Sequence, residues 1–71
     1  MLDALAARQA RLLHQAITRA DITLAQLWWH YLSLGGNTGQ LEVEAYLYQA
    51  LDLPRFQREL LDHAAHELLS G

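Results

Sequence analysis

Histidines and carboxylates near the end of the chain are the residues best suited to metal chemistry. His63 and His66 would share one face of a helix, with Glu59, Asp62 and Glu67 close by. Helical zinc sites use histidines four residues apart with a glutamate between them, and di-iron bundles use Glu-x-x-His on two helices. The chain has neither pattern. We therefore predict no metal and no other cofactor, and we interpret these side chains as a solvated face with ion pairs.

Residues 35–39 (GGNTG) have the composition of a loop that could hold a phosphate group. Glycine-rich loops before a helix bind anions through free backbone N–H groups. A P-loop also needs a lysine, and the chain contains none. We predict instead that Gly35 and Gly36 end one helix and that Asn37 or Thr38 caps the next. None of the four histidines has the neighbouring lysine and glycine typical of phosphohistidine transfer domains.

Two adjacent tryptophans, Trp28 and Trp29, give the clearest indication of a binding surface. Neighbouring residues on a helix point about 100° apart, so one small core rarely encloses both indole rings. The apolar stripe of this helix includes Trp28, which leaves Trp29 exposed between Ala25 and Leu32. Because tryptophan is enriched at binding hot spots, we predict that Ala25, Trp29 and Leu32 contact a protein partner.

Arginines on the first predicted helix form a second candidate surface. Arg8, Arg11 and Arg19, together with Gln15, fall within a sector of roughly 80° on a helical wheel. Guanidinium groups arranged in this way steer and orient an acidic protein surface. We therefore predict that Arg8, Arg11 and Arg19 also bind the partner.

Four predicted helices must position these side chains. The first runs from Leu2 to about Ala20. The second begins at a capping box of Thr23 and Gln26 and ends at Gly35-Gly36. The third runs from a cap at Asn37 or Thr38 to about Ala50, and the fourth begins at Pro54. Short connections between four helices indicate an all-α fold, either a compact four-helix bundle or an orthogonal helical array.

The same spacing predicts the core and the charged face of the last helix. The expected core positions are Leu2, Leu5, Ala6, Leu12, Leu13, Ala16, Ile17 and Ala20, then Leu24, Leu27, Trp28, Tyr31 and Leu34, then Leu41, Val43, Ala45, Leu47, Tyr48, Ala50 and Leu51, and finally Phe56, Leu60, Leu61, Ala64, Leu68 and Leu69. The expected ion pairs are Arg55 with Glu59, Arg58 with Asp62 and Asp62 with His66. We place His14 at the margin of the first helix and His30 on the outward side of the second.

Composition limits the classes of function that the chain can support. Its 71 residues predict a single domain, residues 1–71, and a core small enough to make association with another chain plausible. The absence of cysteine excludes disulfide scaffolds and thiol chemistry, and favours an intracellular, cytoplasmic protein. The start of the sequence lacks the features of a signal peptide, so we expect Met1 to begin the working protein, and no segment is apolar enough to span a membrane.

Part of the sequence resembles a group of small all-helical proteins of unknown function from actinobacteria. The resemblance covers residues from about 24 to the end, and it is carried by residues 27–28 (LW), Tyr31, residues 34–36 (LGG), residues 41–47 (LEVEAYL), residues 53–54 (LP) and residues 60–61 (LL). It implies a fold and a lineage. It implies no catalytic residue.

We predict a small non-enzymatic regulatory or adaptor module that forms a homodimer or docks on a larger intracellular protein. The contrast between the arginine stripe and Glu42 and Glu44 would also allow self-complementary pairing. The alternative is a dimeric DNA-associated transcriptional regulator that uses the arginine stripe. Against it, the net charge is −3, and Glu42 and Glu44 would repel phosphates. Because no nucleophile, cofactor motif or acid–base pair is evident, we predict no enzymatic activity and no small-molecule substrate.

Overall fold

The computed structural model describes residues 4–71, and this part of the chain forms four α-helices and no strands. The helices are α1 (Ala4–Arg19), α2 (Leu24–Ser33), α3 (Gln40–Leu47) and α4 (Arg55–Ser70). The predicted all-α fold is therefore confirmed. Leu2, the predicted start of the first helix, lies outside the described residues.

The start of α2 follows the predicted capping box. The backbone N–H of Gln26 donates to Thr23 Oγ1 at 3.0 Å, and the backbone N–H of Thr23 donates to Gln26 Oε1 at 2.8 Å. Helix α3 begins later than predicted, because its N-cap is Gly39 rather than Asn37 or Thr38. Glycine has no side chain to cap the helix, and here Glu42 Oε2 accepts the Gly39 N–H at 3.1 Å.

The first three helices end in the same way, each with one residue in the left-handed backbone conformation. These residues are Asp21 (φ 58°), Gly35 (φ 104°) and Gln49 (φ 60°). The next residue in each case donates its N–H to the carbonyl five positions earlier, as in a Schellman motif: Ile22 to Ile17, Gly36 to Tyr31 and Ala50 to Ala45. The glycine stop of α2 is confirmed. Helix α3 ends at Leu47, earlier than the predicted limit near Ala50.

Each helix packs against two others in a ring. Helix α1 contacts α3 and α4, and α2 also contacts α3 and α4. In the described part of the chain, α1 and α2 do not pack on each other, and neither do α3 and α4. Helices α1 and α2 are therefore diagonal to each other across the core. None of the helices within residues 4–71 is long and apolar enough to cross a membrane.

The buried core draws on all four helices. It contains Ala10, Leu13, Ile17, Leu27, Tyr31, Val43, Tyr46, Leu47, Leu53, Leu61, Ala64 and Ala65. Several predicted core positions are wrong, since Leu5, Leu12, Ala20, Leu41, Tyr48, Ala50, Leu51, Phe56 and Leu69 are exposed. Four of them, Ala20, Tyr48, Ala50 and Leu51, lie beyond the ends of the helices. For the others, each helix has only two neighbours, which cover a narrower arc than the apolar residues occupy.

A buried polar group links the core to the loop between α2 and α3. Tyr31 and Gln57 are both buried, and the Tyr31 hydroxyl donates to Gln57 Oε1. The Thr38 N–H donates to Tyr31 Oη at 3.0 Å, and the Asn37 N–H donates to Gln57 Oε1 at 3.3 Å. These bonds hold residues 37–38 against the core, and the helix begins only after them. They explain why Asn37 and Thr38 do not cap α3.

Tyr46 should destabilise the fold at alkaline pH. Its side chain is 1% exposed, and burial, with a contribution from Asp62, raises its pKa from 10.0 to about 12. Below pH 10 this tyrosine is neutral in both the folded and unfolded states, so stability is unaffected. Stability falls as pH rises from 10 to about 12, because only the unfolded chain ionises readily there.

The check is chemical denaturation across this pH range, with tyrosinate absorbance recorded on the same samples. A Tyr46→Phe variant lacks the ionisable hydroxyl and should lose less stability than the parent as pH rises from 10 to 12. An equal loss in both proteins would contradict the assignment to Tyr46.

Candidate functional site

The first candidate surface, the α2 patch, consists of Ala25, Trp29 and Leu32. Leu27 and Tyr31 turn the opposite side of α2 into the core and are fully buried. Trp29 therefore points outward, with 65% of its surface exposed. Ala25 is also exposed, whereas Leu32 is half-buried and packs on the core. Ala25 and Trp29 thus share the outward face of α2, and Leu32 lies at its edge, next to the core.

The indole ring of Trp28 packs against that of Trp29. Trp28 was predicted to lie in the core and is instead half-buried at its edge, and its Nε1–H donates to the carbonyl of Thr38 at 2.9 Å. The two indole rings lie 5.0 Å apart between centroids and are tilted by 60°. Trp29 therefore rests on a ring that is itself tied to the loop before α3.

The residues around the α2 patch on this helix carry no acidic or basic side chain other than histidine, and most of their polar groups are already hydrogen-bonded. Helix α2 contains no Asp, Glu, Lys or Arg. Of its polar neighbours, Ser33 donates to the carbonyl of His30 at 2.6 Å, and Gln26 uses its acceptor oxygen in the capping box. A partner could cover Trp29 without desolvating a charged side chain of α2 or leaving these bonds unmade.

The second candidate surface, the α1 arginine face, consists of Arg8, Arg11 and Arg19. All three are exposed, on the side of α1 opposite its buried residues Ala6, Ala10, Leu13 and Ile17. None of them forms an ion pair with another described residue. The three guanidinium groups are thus free to meet an external acidic group.

The two candidate surfaces do not form one contact area. Each lies on the outward side of its helix, and the two helices are diagonal to each other. The α2 patch and the α1 arginine face therefore point in opposite directions. A single flat partner surface therefore cannot cover both.

His30, His63 and Glu67 form a hydrogen-bonded group between α2 and α4. Glu67 Oε1 lies 2.7 Å from His30 Nε2, and Glu67 Oε2 lies 2.9 Å from His63 Nε2. The hydrogen bond with His30 is the main cause that lowers the pKa of Glu67. The prediction that His30 faces outward is wrong, because its side chain turns toward α4. Within residues 4–71, no group of three or more potential ligands is arranged to hold a metal ion.

Only one of the three predicted ion pairs on α4 forms. Arg55 Nε lies 3.0 Å from Glu59 Oε1, whereas Arg58 with Asp62 and Asp62 with His66 make no ion pair in the described structure. Arg58 turns instead into a groove between α1 and α4, where its buried Nε has no acceptor among the described residues. Burial in this region raises the pKa of Asp62.

Three successive backbone N–H groups of the glycine-rich loop are already hydrogen-bonded and therefore are not free to bind a phosphate. The amides of Asn37, Thr38 and Gly39 donate to Gln57, Tyr31 and Glu42, respectively. An anion would have to displace these bonds, so the loop acts as a connection between α2 and α3. At the start of α3, Glu42 is exposed and negatively charged, as is Glu44 in the following turn.

Sequence reasoning missed the exposed leucines that lie next to the arginines. Leu5 and Leu12 are 69% and 50% exposed, although their spacing predicted burial. Phe56, which is 63% exposed, lies beside the half-buried Leu34 and Leu60 in a groove between α2 and α4. One signal was present for the leucines, because both lie closer on the helical wheel to Arg8 and Arg19 than to the centre of the buried stripe.

Comparisons with known proteins assign the chain to no group: no family model, no curated protein and no solved structure matches it.

Proposed function

We propose that this chain is a small, non-enzymatic regulatory or adaptor module of the cytoplasm that forms a homodimer through the α2 patch. The observation that carries the proposal is the position of Trp29, a 65% exposed indole on an uncharged, apolar helix face. Tryptophan is the residue type most typical of binding hot spots. Its indole N–H is also free to bond across an interface, since it has no partner among the described residues.

A second copy is a suitable occupant of the α2 patch. In a two-fold dimer the same patch meets itself, so any charge on it would face a like charge. Helix α2 has no such charge to oppose pairing. The half-buried Leu32 and exposed Ala25 extend the apolar contact on either side of the indole.

The size of the patch limits the strength of the dimer. A helix of ten residues is about 15 Å long, so α2 alone offers less area than the roughly 800 Å² per partner of a standard stable interface. We therefore expect reversible dimerisation, with a dissociation constant on the order of micromolar. Such a dimer would respond to the concentration of the protein in the cell.

Replacing Trp29 by alanine should strongly weaken the dimer and leave the fold intact. Loss of a hot spot costs about 2 kcal/mol or more, which weakens association about 30-fold. Sedimentation across a concentration series measures the mass, and tryptophan emission on the same samples should shift to shorter wavelength as the dimer forms. Circular dichroism should show unchanged helicity and melting.

Phe56→Ala is the matched control, because Phe56 is 63% exposed but lies on α4. It should dimerise like the parent protein. A parent chain that stays monomeric at the highest concentrations would refute self-association. So would equal weakening by Trp29→Ala and Phe56→Ala, which would indicate non-specific apolar contact.

A further inference from the structure

The outward side of α1 combines exposed leucines with arginines in one continuous stripe. Leu5, Arg8 and Leu12 are spaced three and four residues apart, and Arg19 follows Leu12 after two more turns, so these side chains line up along the helix. Leu5 and Leu12 are 69% and 50% exposed, and Leu5 also borders the groove between α1 and α4 that Arg55, Arg58, Glu59 and Asp62 line. Two apolar anchors therefore lie between and beside guanidinium groups that have no partner in the described chain.

Charge is distributed unevenly between α1 and the rest of the protein. Helix α1 carries three of the five basic residues and none of the eight acidic residues. The face is thus positive in a chain whose net charge is −3. An acidic partner would be attracted to α1 and repelled by most of the remaining surface, which would favour one orientation of docking.

The same charges disfavour other occupants of this stripe. Two copies of α1 packed together would bring arginines against arginines, so a second copy is not the natural partner here. Nucleic acid would form phosphate contacts with only three arginines, and its charged backbone would not bury the apolar surface of Leu5 and Leu12. Alternating apolar and basic groups instead match a helix with leucines flanked by carboxylates.

From this pattern we infer that the α1 stripe, Leu5, Arg8, Arg11, Leu12 and Arg19, docks an acidic amphipathic helix of another protein. Apolar side chains of that helix pack against Leu5 and Leu12, and its carboxylates pair with the arginines. The stripe from Leu5 to Arg19 is about 21 Å long, which corresponds to roughly 14 residues of the docked helix.

The inference extends the proposed function and rests on its assignment of the chain as an interaction module. Because α1 lies diagonally opposite α2, a dimer formed through the α2 patch leaves the α1 stripe of each copy exposed. The dimer would then hold two acidic helices, one on each outer side. Binding at α1 does not itself require the dimer.

Binding of a designed peptide to the full chain tests the inference. The probe is a helical peptide with a leucine stripe flanked by glutamates, and the matched peptide has glutamine at every glutamate position. We expect the acidic peptide to bind, with affinity that falls as salt is raised, and the glutamine peptide to bind at least tenfold more weakly. A random DNA duplex and vesicles that contain anionic lipid serve as competing ligands.

Substitutions then locate the peptide on the chain. Leu12→Ala and Arg8→Gln should each weaken peptide binding about tenfold, whereas Phe56→Ala, at a 63% exposed side chain in the groove between α2 and α4, should not. Equal binding of the two peptides, tighter binding to DNA or vesicles, or no effect of Leu12→Ala would overturn the inference. Trp29→Ala should leave peptide binding intact, and Leu12→Ala should leave the dimer intact, so failure of one proposal is distinguishable from failure of the other.

Discussion

Replacing Gly36 by alanine should strongly destabilise the protein. A β-carbon at this position would overlap the aromatic ring of Tyr31. That ring is fully buried, and its hydroxyl bonds to both Gln57 and the Thr38 amide, so it cannot move aside cheaply. We expect a loss of about 3 kcal/mol or more, against a total stability of roughly 4–10 kcal/mol for a chain of this length.

Gly35→Ala is the matched control for this prediction. Gly35 has φ 104°, which costs a residue with a side chain about 1–2 kcal/mol, but no atom lies within 4 Å of the added carbon. Urea unfolding followed by circular dichroism should therefore give the highest free energy of unfolding for the parent, a lower one for Gly35→Ala and the lowest for Gly36→Ala. Equal stability of Gly36→Ala and Gly35→Ala would show that the loop does not pack closely on the Tyr31 ring.

The packing of this loop also determines the geometry of the α2 patch. Gly36 allows the loop to approach Tyr31, which brings the Thr38 carbonyl to the indole N–H of Trp28. Trp28 in turn supports the ring of Trp29 at 5.0 Å. A Gly36→Ala protein that stays folded at low temperature should therefore dimerise more weakly, although Gly36 is outside the patch.

Local signals in the sequence predicted the helices well. The capping box of Thr23 and Gln26 and the glycine stop after α2 depend on residues within one turn of each other, so the sequence alone is enough to identify them. The exposure of Trp29 also followed from local geometry, because two adjacent side chains cannot both face one small core.

Features that depend on distant residues could not be predicted in this way. Spacing places Leu5 and Leu12 at the edge of the apolar side of α1, and the ring arrangement then shows that the neighbouring helices do not reach that edge. Likewise, Gln57 looked like a polar surface residue of α4. Its burial becomes favourable only because Tyr31 and the loop amide of Asn37 bring donors to it from another part of the chain.

Gln57→Leu should destabilise the protein by about 2–4 kcal/mol even though leucine has a similar volume and suits a core. The substitution removes the oxygen that accepts bonds from the Tyr31 hydroxyl and the Asn37 N–H. The buried Tyr31 hydroxyl left without an acceptor costs about 1–3 kcal/mol, and the partly buried Asn37 N–H adds a smaller loss, together more than the added apolar surface returns. Conventional hydropathy would predict the opposite sign, since a buried polar residue is replaced by an apolar one.

A double-mutant cycle with Tyr31→Phe separates this bond from general packing. Tyr31→Phe removes the hydroxyl that Gln57→Leu would leave unpaired, so the double variant should be more stable than the two separate losses predict, by about 1 kcal/mol or more. The Thr38 and Asn37 amides remain unpaired in the double variant, so it should still be less stable than the parent. Strictly additive losses would show that Tyr31 and Gln57 do not act as one hydrogen-bonded unit, and the loop would then be held mainly by the packing of Gly36 on the Tyr31 ring.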